Sequence, residues 1–229
     1  MKDYLAVIKA TTLFEGIGES ELGSLLTCLS PRTAEYKKEQ IIFWRSEGIE
    51  SIGIVLSGQV QVIQYDYYGN RIILANLERG DLFGESFAYA ETKSLPVSVV
   101  ASADSVLLFI DCHRLAELCT KACACHNRLI QNMLKIVSLK NISLMQRIEF
   151  TSKRTTREKL LAYLSAEAQK TGSNSFRIPF NRQELADYLS VNRSAMSLEL
   201  SRLRKDGLLN FCKNKFELLQ SNRLNTEAH

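Results

Sequence analysis

Between Cys125 and Ile148 the chain carries neither proline nor glycine, so nothing in its chemistry interrupts a helix of roughly 36 Å at about 1.5 Å per residue. Two apolar stripes run along it. Leu129, Met133 and Ile136 form one. Ile130, Leu134, Val137, Asn141, Leu144 and Ile148 form the other, at spacings of four, three, four, three and four, which is a heptad seam. One stripe can cover a neighbouring domain while the other pairs with a second copy of the chain. A helix buried on both sides within a monomer would show the same stripes. Asn141 in mid-seam favours the dimer, since a lone polar seam residue fixes register at a cost in stability. At 229 residues the chain exceeds one typical core, so two domains joined by this helix are expected.

Residues 36–110, upstream of the helix, show short β-like runs separated by glycine-bearing turns: QIIFW, SIGIVLSG, QVQVIQY, RIILANL, DLFGE, VSVVA and VLLFI. This pattern predicts an antiparallel, jelly-roll-like β-roll, with a hairpin at Tyr65-Asp66-Tyr67-Tyr68-Gly69-Asn70. Residues 3–10 and 19–29 have helical spacing, Ser20 being placed as an N-cap. A composition of 45% apolar and 24% charged residues is that of a folded, water-soluble domain. No apolar run approaches the roughly 18 residues of a membrane span, and the start MKDYLAVIKATT lacks a signal-peptide core, so a cytoplasmic location away from membranes is expected.

The net charge of +4 is unevenly placed. Residues 151–229 hold 14 Lys+Arg against 8 Asp+Glu, and residues 1–150 hold 15 against 17, so nucleic acid would bind the C-terminal part. There, residues 157–169 have amphipathic helical spacing ended by the turn 171–175. Asn181 with Glu184 forms a capping box for a helix from Arg182 to Tyr188, and Asn192 can cap a second helix from Arg193 to Asp206, stopped by Gly207. The short link Leu189-Ser190-Val191-Asn192 makes this a helix-turn-helix. Met196, Leu200 and Leu203 share one face of the second helix; Arg193, Ser194, Ser197 and Ser201 share another, where small polar side chains and an arginine suit a major groove. Beyond Gly207, LLNF and KFELL flank Cys212-Lys213-Asn214-Lys215, a hairpin wing whose Lys213 and Lys215 would meet phosphates. A small helical bundle with a solvated polar face would share part of this pattern, but not the basic excess or the wing.

Gly80-Asp81-Leu82-Phe83-Gly84-Glu85, followed by Pro96-Val97-Ser98-Val99-Val100-Ala101, resembles the cyclic-nucleotide-binding cassette of Crp/Fnr regulators. Asn181-Arg182-Gln183-Glu184-Leu185-Ala186, with Asn192-Arg193-Ser194 and Leu203-Arg204-Lys205-Asp206-Gly207-Leu208-Leu209, is similar to that family's helix-turn-helix, in family order. The resemblance implies an α+β fold: an N-terminal antiparallel β-roll for effector sensing (1–124), a long dimerisation helix (125–150) and a C-terminal winged helix-turn-helix (151–229). It implies a homodimeric transcription regulator on double-stranded DNA with a palindromic operator, and RNA polymerase is a candidate partner. It gives Arg182 and Gln183 phosphates to hold, Asn192 the capping of the recognition helix, and Arg193 a base to read. The catabolite-activator pattern has Glu and a second Arg where this chain has Ser194 and Leu198, so its operator should differ.

Gly84, Glu85, Ser86, Leu95, Pro96, Val97 and Ser98 are the effector-binding candidates. Cyclic-AMP-binding members carry an arginine and then a serine where this chain has Leu95 and Pro96. A buried phosphate there would lack its cation, and Lys93 on a turn is a poor substitute, so the effector is expected to be an unidentified small molecule other than cyclic AMP. Glu85 could take a ligand hydroxyl or amine, or hold backbone amides of the helix that follows it. Cys119, Cys123 and Cys125 with His126, near Cys112 and His113, offer a rival redox- or metal-responsive sensor, though they lack paired zinc spacing; no metal site is assigned. The absence of catalytic motifs speaks against an enzyme. A nucleotide-sensing module serving a protein partner is the other alternative, and its binding would lack the salt dependence of DNA binding.

Overall fold

The computed structural model describes residues 4–45, 48–90, 93–116 and 124–219. Contacts divide it into two compact units, 1–141 and 142–229, with the division inside one continuous helix.

The first unit begins with α1 (Leu5–Ala10), a 3-10 turn at Thr12–Phe14 and α2 (Glu19–Leu29). The cap of α2 is Gly18, whose N–H donates to the Glu21 carboxylate at 3.1 Å. Ser20, expected in that role, lies inside the helix. Eight strands follow: β1 (Arg32–Tyr36), β2 (Ile41–Phe43), β3 (Ser51–Ser57), β4 (Val60–Tyr65), β5 (Arg71–Leu77), β6 (Leu82–Phe83), β7 (Ser98–Ala101) and β8 (Ser105–Asp111). They form two four-stranded sheets, β1-β8-β3-β6 and β2-β7-β4-β5, antiparallel throughout. The expected roll is present, but it starts at Arg32, since RTAEY is an exposed edge strand with no apolar alternation to announce it. The DLFGE run is a two-residue strand that turns at once into α3 (Glu85–Tyr89). At the predicted hairpin, Asp66 accepts the N–H groups of Tyr68 and Asn70 at 2.8 and 2.9 Å.

Period-two alternation along β3 and β8 decides the packing, because side chains i and i+2 share a face. Val55, Leu107 and Phe109 point between the sheets, with Val60, Leu77, Phe83 and Val99 of the other strands. Phe43, Phe83 and Phe109 meet edge-on or tilted there, 5.7–6.2 Å apart. Ile52, Ile54, Leu56, Leu108 and Ile110 point the other way, into a second core made by α1, α2 and the long helix.

After α4 (Cys112–Ala116) comes that helix, α5 (Ala124–Thr151). Its inner stripe behaves as the spacing predicts: Leu129 and Ile136 are buried in the second core, with Met133 packed against it. Polar residues on the same side grip the N-terminal segment. Asn132 Nδ2 donates to the carbonyls of Leu13 (3.0 Å) and Glu15 (2.8 Å), and Lys135 pairs with Glu15 at 2.7 Å.

In the second unit, α6 (Thr156–Thr171) starts on a Thr155–Glu158 capping box and ends at Gly172 in the left-handed region. A strand that begins at the last residue of the predicted turn, β9 (Ser175–Arg177), joins β10 (Leu209–Cys212) and β11 (Lys215–Leu218) in the order β10-β11-β9. Between β9 and β10 lie α7 (Arg182–Leu189) and α8 (Arg193–Lys205). Leu160, Leu164, Leu185, Leu189, Met196, Leu200, Leu203 and Phe216 are fully buried. This is a winged helix-turn-helix.

A Cβ on Gly53 would overlap the Phe83 ring. Gly53→Ala is therefore expected to destabilise the roll by about 1–3 kcal/mol through overpacking, measured as a lower urea midpoint at unchanged slope.

Candidate nucleic-acid interface and effector cassette

Asn192 is the N-cap of α8: its Oδ1 accepts from the N–H groups of Ser194 (2.9 Å) and Ala195 (3.2 Å), two donors a helix start leaves orphaned. The entry turn uses Ser190 at φ 53, and the Val191 N–H returns to the Ala186 carbonyl at 3.0 Å. Met196, Leu200 and Leu203 are buried beneath the helix, which leaves Arg193, Ser194, Ser197 and Ser201 exposed on its outer side. The Ser197 and Ser201 hydroxyls donate to the carbonyls of Arg193 and Ser197, four residues back, at 2.9 and 3.0 Å. Their hydrogens are used within the helix, so toward a base edge they offer oxygen lone pairs.

At the head of α7, Asn181 and Glu184 make the expected capping box. Gln183 donates to Asp187 at 2.7 Å along its own helix. Arg182 is half-buried, its guanidinium 4.7 Å from the Phe211 ring centroid and 5.1 Å from that of Phe216; burial lowers its pKa. Lys213 occupies the wing turn at φ 53 and is exposed, as is Lys215. Asn214 ties the turn to residue 178, donating from Nδ2 to the Ile178 carbonyl at 3.1 Å and accepting the Ile178 N–H at 3.0 Å.

In the first unit, Gly84 at φ 86 starts α3, a backbone conformation that favours glycine. Glu85 is buried, and its Oε1 is held by Lys140 of α5 at 2.7 Å and by the Ser86 hydroxyl at 3.2 Å. Lys140 also donates to the Leu82 carbonyl at 2.6 Å. Glu85 Oε2 is buried with no hydrogen-bond partner among the described residues. Of the two roles expected for Glu85, holding the backbone amides of α3 is not what the structure shows: its fixed partner is a side chain of the long helix. Lys140 is the residue that sequence reasoning missed. The readable signal was the inner stripe Leu129, Met133, Ile136, whose next member is a lysine.

Leu95 and Val97 are buried, Pro96 and Ser86 are exposed, and the Ser98 hydroxyl accepts the Arg45 N–H at 3.2 Å. The cassette's second half therefore presents no cation to a phosphate at the expected positions. Cys119 and Cys123 lie outside the described residues; Cys125 is half-buried, and no cluster of three metal-ligating side chains occurs among the described residues. Burial, then the charge of Asp111, pushes the Cys112 thiol up to about 11. No described helix is long and apolar enough to cross a membrane.

The cyclic nucleotide-binding domain family matches residues 33–122, and the Crp-like helix-turn-helix domain family matches residues 158–227. The chain belongs to the Crp/Fnr family. It is a DNA-binding transcription regulator of that family and not an enzyme. Among Crp/Fnr relatives, transcriptional activator protein Anr of Pseudomonas protegens is 25% identical over 178 residues, covering 76% of this chain and 70% of Anr. Two solved structures share the fold. A CooA mutant from Carboxydothermus hydrogenoformans has a TM-score of 0.73 at 22% identity, covering 93% of this chain and 94% of that one. The cyclic-di-GMP-responsive regulator CLP of Xanthomonas campestris has a TM-score of 0.70 at 17% identity, covering 87% and 100%.

Lys140→Met leaves the Glu85 carboxylate buried without its cation. The expected cost is about 1–3 kcal/mol, below that of a fully buried pair because Lys140 is 35% exposed. Urea unfolding checks it, and adding Glu85→Gln should recover part of the loss. Because its thiol is raised, Cys112 should react with iodoacetamide at pH about 8 far more slowly than exposed Cys28 and Cys212, as peptide mapping would show.

Proposed function

We propose that this Crp/Fnr regulator works as a cytoplasmic homodimer on a palindromic operator, and that a small molecule other than cyclic AMP controls it. The observation that carries the second part is the Glu85–Lys140 pair. By the family resemblance a cation should wait for the phosphate; here buried Leu95 with exposed Pro96 stands where that resemblance puts arginine and serine, and the cassette carboxylate already holds a lysine. An effector at Gly84, Glu85, Ser86 and the segment Leu95 to Ser98 must bring a donor for Glu85 Oε2 or displace Lys140. Because Lys140 belongs to α5, either event acts on the helix that carries the seam. A fold relative described as responsive to cyclic di-GMP supports the view that this architecture serves other effectors.

The dimer reading rests on the seam. Ile130, Val137 and Asn141 are exposed, and Leu134, Leu144 and Ile148 are 64%, 55% and 66% exposed; a second copy covers such a stripe as a coiled coil. We read residues 1–124 as the effector-sensing domain, 125–150 as the dimerisation helix and 151–229 as the DNA-binding domain. Arg193, Ser194, Ser197 and Ser201 face the major groove, with Arg182, Gln183, Asn192, Lys213 and Lys215 beside phosphates. Promoter-bound dimers would meet RNA polymerase.

Isothermal titration with cyclic AMP is expected to give no binding heat; micromolar binding would contradict the effector reading. The double variant Leu144→Lys, Ile148→Lys is expected to sediment as a monomer while the parent chain sediments as a dimer. A dimeric double variant, or a monomeric parent, would contradict the seam.

A further inference from the structure

The wing strand β10 contributes Phe211, and two guanidinium groups converge on its ring: Arg182 from α7 with Cζ at 4.7 Å from the centroid, and Arg204 from α8 at 4.9 Å. Both contacts are within cation–π range, and they put the two guanidinium carbons within about 10 Å of each other. Two other arginines of this unit meet carboxylates: Arg157 pairs with Glu199 at 3.1 Å and Asp206 at 2.8 Å, and Arg202 with Glu199 at 3.3 Å. Arg182 and Arg204 form no ion pair among the described residues. Among the described residues, two like charges share one aromatic ring without a counter-charge, and one of them is half-buried.

Arg204 also lies in line with the reading face. At about 100° per residue, Arg193, Ser197, Ser201 and Arg204 fall within roughly 80° of one another around α8. Along the axis, Arg204 lies about 16 Å beyond Arg193. A major groove is about 12 Å wide, so a helix with Arg193 at the base edges carries Arg204 out of the groove to the sugar-phosphate rim, on the side where β10 stands.

We propose that Arg182, Phe211 and Arg204 form a phosphate clamp: the Phe211 ring holds the two guanidinium groups, and one or two backbone phosphates of the operator supply the missing negative charge. The clamp rests on the reading of α8 as the groove helix. Phe211 is a positioning residue, since it acts through the arginines; Arg204 is a backbone contact that adds affinity without sequence information.

The test is fluorescence anisotropy with a labelled duplex of arbitrary sequence, titrated at several salt concentrations between about 50 and 200 mM. Arg204→Ala is expected to weaken binding about tenfold at the low end and to flatten the log–log salt dependence by about 0.9 per subunit, one phosphate contact each. Arg204 is exposed, and circular dichroism should confirm that the variant folds. Arg204→Lys should restore most of the slope. Phe211→Leu keeps an apolar side chain but removes the π face, and should flatten the slope with both arginines present. An Arg204→Ala variant with the parental affinity and slope overturns the clamp; a Phe211→Leu variant with the parental slope overturns the role of the ring. Arg193→Ala, assayed on DNA selected by the parent protein, tests the groove reading separately. It should abolish sequence preference with little change of slope, and a retained preference would count against the placement of α8 whatever Arg204 does.

Discussion

Strands β3 and β8 are apolar on both faces, and no single sheet-on-sheet core can bury both. One face closes the roll around Phe43, Phe83 and Phe109; the other needs a cover, which α1, α2 and the inner stripe of α5 provide. That requirement ties the long helix to the sensing domain through Leu129 and Ile136 and sets its rotation about its own axis. With that rotation fixed, Asn132 and Lys135 reach the N-terminal segment, Lys140 reaches Glu85, and the seam from Ile130 to Ile148 is left facing solvent. The cassette and the seam are thus two sides of one helix, and under the effector control proposed above an event at Glu85 would have a direct mechanical route to the seam.

Glu85 gives that route an energetic lever. A buried carboxylate with one oxygen on a lysine and the other without a partner among the described residues is incompletely satisfied, and an uncompensated buried polar atom costs on the order of 1–3 kcal/mol. A ligand that donates to Glu85 Oε2 would gain that energy, and one that removes Lys140 would release the helix from the Leu82 carbonyl as well. Both are differential interactions of the size that population shifts between two arrangements require.

The architecture was legible where periodicity and capping chemistry are strong. The helix-turn-helix could be placed almost to the residue because Asn181, Glu184, Asn192 and Gly207 are local signals that act through neighbouring backbone groups. The outer stripe of α5 could be read because its period survives over six positions, all of them exposed. Edge strands were not legible: RTAEY and SFR are mostly exposed, so their pairing, not their pattern, makes them strands. Ser20 was misread as a cap because Gly18, which has no side chain, lets Glu21 reach back to its N–H. Lys140 and the Phe211 stack involve residues 55 and 29 positions from their partners Glu85 and Arg182, and no local pattern announces such pairs.

The most direct test is to incubate the purified protein with fragmented genomic DNA from its source, in the presence of the small-molecule fraction of the same cells, and to sequence what it retains. A symmetric regulator predicts enrichment of one inverted repeat with half-site centres about ten base pairs apart. Retention without any motif, or of a lone half-site, would contradict a dimer that reads DNA through α8.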